Sequence, residues 1–250
     1  MIRHILGHDA LLLDQRRAIP GQVEERQAAR AGAGAARVTI APLRAGDVDT
    51  AAGWHATALP DGFFAGLGRR FLRAYWDSYR RSPHARALVA LTGDGSLVGV
   101  LAGTTDSAAH YRWVVRHRGF VLAPVALVAL VARPVLAARF ARTRGRLYAR
   151  GLLRFLLPRR RHRRGGSASA DTSGATLVHV IVDEPARRSG VGTALVRGFE
   201  AQARASGVRR LRLLAHESDL ALTAFYRRLG WRRGPVRVDV DGVAWREYTR

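Results

Sequence analysis

Val180-Ile-Val-Asp-Glu-Pro-Ala-Arg187-Arg-Ser-Gly190-Val-Gly192-Thr-Ala-Leu195 is the stretch on which the reading of this 250-residue chain turns. It follows Thr176-Leu-Val-His, so an apolar, β-branched run enters a loop holding Pro185 and two arginines, and two glycines then open a helical pattern from about Gly190 to Ser206. The first amides of a helix have no partner within the helix and sit at its positive end. Free amides at that helix end can therefore hold a diphosphate, glycine lets it approach closely, and the neighbouring arginines add charge-assisted bonds. An isolated Arg-x-x-Gly-x-Gly is equally an ordinary strand-to-helix turn with solvated arginines. It is neither a Walker loop nor the Gly-x-Gly-x-x-Gly dinucleotide fingerprint.

Outward from this stretch the chain alternates strands and helices. Val38 to Leu43 reads as a strand, with a helix from about Asp47 toward Ala58. A second helix is expected from about Asp61, an N-cap candidate, to the Ser82-Pro83 stop, with Phe64, Leu67, Phe71, Leu72, Tyr75 and Tyr79 as its stripe. Ala87 to Leu91 and Leu97 to Gly103 form a hairpin across Thr92-Gly-Asp-Gly-Ser. After Ser206 come a strand at Arg210 to Leu214 and a helix from about Asp219 to Leu229. Two closing strands, about Trp231 to Val240 and Val243 to Tyr248, turn at Asp241-Gly242. The order is β-α-α-β-β, an insertion, then β-α-β-α-β-β: an α/β fold with a mixed central sheet flanked by helices. Residues 1–36 read as a loosely ordered extension, and 37–250 as one domain interrupted by 106–172.

The charge is as uneven as the pattern. The chain carries +23, every basic side chain other than histidine is Arg, and cysteine is absent. No cysteine means no disulfide framework, thiolate metal site or cysteine nucleophile. Residues 107–170 hold fifteen Arg and no Asp or Glu, so the basic character is concentrated in the insertion. Its most apolar run, Phe120 to Ala132, is thirteen residues long against the roughly twenty that a spanning helix needs, and it reads as non-spanning. With no secretory signal pattern at Met1 to Arg16, a cytoplasmic protein is expected. The insertion admits two readings: a lid resting on anionic lipid, or a solvated helical subdomain over a pocket. A nucleic-acid-binding protein is the non-enzymatic rival, disfavoured because no base-reading motif or RNP-like strand accompanies the arginines.

Arg187, Gly190 and Gly192 after a strand resemble motif A of the GCN5-related N-acetyltransferases (GNAT). Asp219-Leu-Ala-Leu-Thr-Ala-Phe-Tyr226-Arg-Arg-Leu-Gly-Trp231 is similar to the family's following motif, with Asp219, Leu222 and Trp231 standing where Asn, Ala and Phe are usual. The resemblance covers about 38–105 and 173–250 and leaves the insertion and the N-terminal extension aside. It implies acetyl-CoA as co-substrate, no metal, and an acetyl group passed to a primary amine of a small acceptor, an amino sugar being one candidate. Transfer of another acyl group is the alternative on the same scaffold.

The resemblance assigns Val180 and Val182 to backbone pairing with the pantetheine arm. Arg187, Arg188, Ser189, Gly190, Val191, Gly192 and Thr193 fall to the diphosphate loop, Asp219 to the cofactor side, and Tyr226 to protonating the departing thiolate. Tyr226 is also at home on a packed helical face with Leu222, Phe225 and Leu229. A base for the acceptor ammonium is sought among His179, His216, Glu217 and a water relay. Asp61 is placed either to meet a cationic amine or to cap its helix. Homodimerisation is left open.

Overall fold

The computed structural model describes residues 38–145, 174–239 and 241–250. The expected extension 1–36 and the part of the insertion from 146 to 172 lie outside the described residues.

Seven strands form one mixed sheet in the order β1-β2-β3-β4-β5-β7-β6. They are β1 Thr39–Pro42, β2 Ala85–Leu91, β3 Leu97–Thr104, β4 Ala175–Val182, β5 Leu211–His216, β6 Arg232–Val238 and β7 Ala244–Thr249. Every neighbouring pair is antiparallel except β4–β5. The central strands are covered on both faces, which is why they read as unbroken apolar runs. In β2 and β3, Ala87, Val89, Val100 and Ala102 enter one core, while Leu88, Ala90 and Leu101 enter the other. The hairpin turns where expected, closed by Thr92 N–H to Ser96 O at 2.9 Å.

The first core lies under α1 Val48–Ala58, α2 Phe63–Gly66 and α3 Arg69–Arg81. The expected single helix from Asp61 is thus two. Gly68, at φ +89, breaks it; the left-handed backbone there favours glycine. The apolar spacing survives the break because Phe64 packs on Phe71 and Tyr75 at ring distances of 5.5 and 5.0 Å. Asp61 is exposed and does not cap, for Gly62 occupies the N-cap position.

The second core is closed by α6 Val191–Ala205 and α7 Leu220–Arg228. Here β3 and α6 are in intimate contact. A Cβ on Gly103 would fall 2.4 Å from Phe199 Cε2 and 3.0 Å from the Thr176 carbonyl oxygen.

The insertion begins with α4 Ser107–Val131, then α5 Pro134–Phe140 and a π turn at Ala141–Gly145. Asp106 caps α4, its carboxylate accepting the amides of Ala108 and Ala109 at 3.0 and 2.9 Å. The run from Phe120 is embedded in this 25-residue helix, which is long and apolar enough, by length and composition, to cross a membrane. The apolar run itself remains thirteen residues long, and the helix reaches spanning length only with the residues that precede it. Helix α4 also holds three arginines before Phe120, Arg112, Arg116 and Arg118, so the apolar run is only part of the helix.

Candidate active site

The β4–β5 ladder has only two rungs, Ala175 with Leu211 and Thr176 with Arg212. Both strands continue, β4 to Val182 and β5 to His216, without further pairing between them. The sheet therefore opens into a wedge at their carboxyl ends. On its other edge β4 stays paired with β3, Val180 opposite Leu101 and Val182 opposite Gly99. On the wedge side β5 pairs with neither Val180 nor Val182, which leaves that edge of β4 open to an incoming strand-like partner except at the Val182 carbonyl, where Arg187 donates.

At the mouth of the wedge the chain makes a 3-10 turn at Glu184–Ala186 and enters α6 through Arg188 at φ +63 and Gly190 at φ +90. A non-glycine residue held left-handed is costly and tends to cluster at ligand sites. Alternating handedness of this kind gathers backbone amides into a concavity suited to anions. Arg187 Nε donates to the Val182 carbonyl at 3.3 Å, and Ser189 Oγ donates to the Ala186 carbonyl at 2.6 Å. Helix bonding starts with Ala194 N–H to Gly190 O at 3.0 Å, leaving the turn containing Val191, Gly192 and Thr193 as the amide end. Arg188, Gly190 and Thr193 are exposed there.

Helix α7 is set against this turn: a Cβ on Gly192 would lie 3.5 Å from Phe225 Cζ. Asp219 caps α7, its carboxylate accepting Leu222 N–H at 2.9 Å. Asp219→Ala is expected to cost about 1 kcal/mol, lowering Tm by roughly 2–4 °C in a thermal melt. Tyr226 is fully buried, edge-on to Phe225 and Trp231, and its hydroxyl has no hydrogen-bond partner among the described residues. Burial, then the neighbouring Tyr248 and Asp219, push its ionisation well above the ordinary tyrosine value. A buried hydroxyl left unpaired is destabilising by about 1–3 kcal/mol. Tyr226 thus joins the packed face with Leu222 and Leu229 and also keeps an unused donor.

A strand wedge, an amide-rich turn and a buried phenol beside it form one arrangement, and the Acetyltransferase (GNAT) family model matches residues 160–231, across all three. Over that stretch, less than a third of the chain, the sequence is similar to GNAT acetyltransferases. No curated protein matches the chain in sequence. Among solved structures, a GCN5-related N-acetyltransferase from Kribbella flavida is 14% identical, with 85% of this chain and 96% of that one covered at a TM-score of 0.51. Ard1 from Thermoplasma volcanium is 17% identical, with 85% and 96% covered at a TM-score of 0.50. At such identities the likeness concerns the fold: the mixed sheet with flanking helices is the GNAT fold.

The three base candidates are not brought together. Glu217 is clamped by Arg246, Nε to Oε2 at 2.6 Å and Nη2 to Oε1 at 2.5 Å, and by Arg233 at 2.8 Å. These guanidiniums hold its carboxyl below the usual range, which makes it a poor base. His216, the last residue of β5, is partly exposed, with its Nδ1 2.7 Å from Ser218 Oγ. His179 is fully buried on the opposite face of the sheet from α6, its Nε2 2.9 Å from the Tyr75 hydroxyl, which is 3.2 Å from that of Tyr79. His55 stands edge-on to His179 at 4.7 Å, and His110 packs on Tyr79 at 4.5 Å. This histidine–tyrosine cluster was not anticipated from sequence; His55 has no local signature, and Tyr75 and Tyr79 read only as a helix stripe. Among the described residues no group of three or more His, Asp or Glu could hold a metal ion.

His55 and His110 carry a consequence for stability. Burial lowers each to about 4, with the charge of His84 a second cause at His110. Unfolded histidine titrates near 6.5, so between pH 6.5 and 4 the unfolded chain binds the extra protons and stability falls as pH falls. The two shifts amount to roughly 7 kcal/mol as an upper figure. Urea melts from pH 7.5 to 4.5 should show a declining midpoint through this window, flattened in His55→Gln. A midpoint independent of pH above 5 would refute the buried neutral imidazoles.

Proposed function

We propose that this enzyme moves an acetyl group from acetyl-CoA to the primary amine of a small acceptor by direct attack. The carrying observation is the wedge that opens after two β4–β5 rungs, with the α6 amide turn at its mouth. Backbone groups of Val180 and Val182 pair with the pantetheine arm. The amides of Arg188, Ser189, Gly190, Val191, Gly192 and Thr193 receive the diphosphate, with Arg187 and Arg188 adding positive charge. Asp219 fixes the start of α7, which places Tyr226 by the thioester.

The acceptor nitrogen, once deprotonated, attacks the thioester carbonyl. The new C–N bond forms as the C–S bond breaks, the sulfur takes a proton from the Tyr226 hydroxyl, and the second proton, released by the acylated nitrogen, returns through water to restore the Tyr226 phenol. The raised ionisation of Tyr226 keeps that proton in place until the thiolate appears. A thiolate formed in the same dry wedge is destabilised by the same desolvation, which offsets the raised ionisation of the phenol. The proton lost by the acceptor goes to water or to a histidine, Glu217 being held as a carboxylate by its arginines.

Titration calorimetry with coenzyme A, paired with thiol release from acetyl-CoA over a panel of amines, tests the reading. Amino sugars lead the panel, followed by peptide N-termini and polyamines. Binding of coenzyme A and amine-dependent thiol release are expected. Absence of heat with coenzyme A would overturn the proposal, and release with longer acyl thioesters alone would replace acetyl by another acyl group.

A further inference from the structure

We propose that the outer face of α4 and α5 docks on an anionic bilayer surface. Phe120, Leu127, Val128, Val131 and Val135 stand 73%, 62%, 69%, 77% and 84% exposed. Their spacing, with Pro124 filling the gap after Phe120, puts them on one stripe that continues from α4 into α5. A helix on a water-soluble domain turns polar residues outward; this one has apolar residues on both sides. Its inner side, Leu122, Val125, Ala126, Ala129 and Leu130, packs on the first core.

The same packing decides how the helix meets lipid. Arg118 bridges to Asp77 on α3 at 2.6 Å, and Asp106 ties the first turn to the end of β3. Crossing a bilayer would strip the inner side from the core and break that ion pair. The helix therefore lies in the interface, apolar stripe down, and the arginines around it meet the headgroups. Arg112 and Arg116 are exposed before the stripe, and Arg133 and Arg142 after Phe120 to Val131.

Charge also selects lipid over the other two occupants. A second copy placed on this face would set arginine clusters against arginine clusters. The chain from 146 to 164, which lies outside the described residues, contains eight more Arg and no acid. Either would meet like charge, whereas phosphatidylglycerol supplies the opposite sign.

Co-sedimentation of the full chain with phosphatidylcholine vesicles, with and without phosphatidylglycerol, tests this proposal independently of catalysis. The wild type is expected to pellet with the anionic vesicles only, and added salt to release it. Leu127→Glu with Val131→Glu should reduce partitioning at least tenfold, and Arg112→Gln with Arg116→Gln, which leaves the apolar stripe intact, several-fold. Failure of the wild type to pellet, or equal pelleting of both variants, would overturn it. So would a lower melting temperature or a changed mass by light scattering for the acidic variant without vesicles, since this chain's own segment or a second copy would then cover the face.

Discussion

Tyr226→Phe is expected to lower kcat by about 10²–10⁴, the usual contribution of a positioned proton donor. Stability should hold or rise slightly. The ring of residue 226 is fully buried against Phe225, Trp231 and Tyr248, and phenylalanine keeps those contacts. Only a hydroxyl without a partner is removed. A purely structural tyrosine would give the opposite pattern: no change in rate. Thiol release at saturating acetyl-CoA, with coenzyme A affinity measured separately, distinguishes the two. The assignment predicts a fall in turnover with affinity changed little, because the lost hydrogen bond matters most when the sulfur becomes anionic. An unchanged rate would end the acid role of Tyr226.

Gly103→Val is expected to be the most damaging single change to the fold, by about 3 kcal/mol or more, with Tm falling roughly 6–12 °C. The added Cβ alone would overlap the Phe199 ring, which is fully buried at the centre of α6, and it would press on the Thr176 backbone across the ladder. Neither neighbour has room to retreat. Phe199→Ala alone should cost about 3–5 kcal/mol through the cavity it leaves. The two changes should not add. Space vacated by the ring receives the valine, so the double variant is expected to lose less than the sum, a coupling read by denaturant melts of all four proteins. Strict additivity would mean that the β3–α6 contact is looser than its geometry implies.

The order of strands and helices was legible because each signal is local. The alternating and continuous apolar runs, the Gly-Asp-Gly turn and the Arg-x-x-Gly-x-Gly loop each depend on a few consecutive residues, and all reappear in place. Asp219 was legible as a helix start for the same reason. The single helix expected from Asp61 failed at Gly68, because apolar spacing continues across a break whenever the two pieces share one core. The apolar run at Phe120 was measured by length alone, and its helix extends back to the cap at Asp106 because arginine is itself a good helix former.

The sequence by itself determined the element order, the GNAT-like motif with its glycines and Tyr226, and the concentration of charge in 107–170. Tertiary structure decided the rest: that β4 and β5 part after two rungs, that Glu217 is neutralised by Arg246 and Arg233, and that His55, His179, Tyr75, Tyr79 and His110 form one buried cluster. These depend on contacts between residues up to more than a hundred positions apart. Chain pattern records what a residue prefers locally, whereas pairing, burial and the resulting ionisation are fixed only when distant segments share the same space.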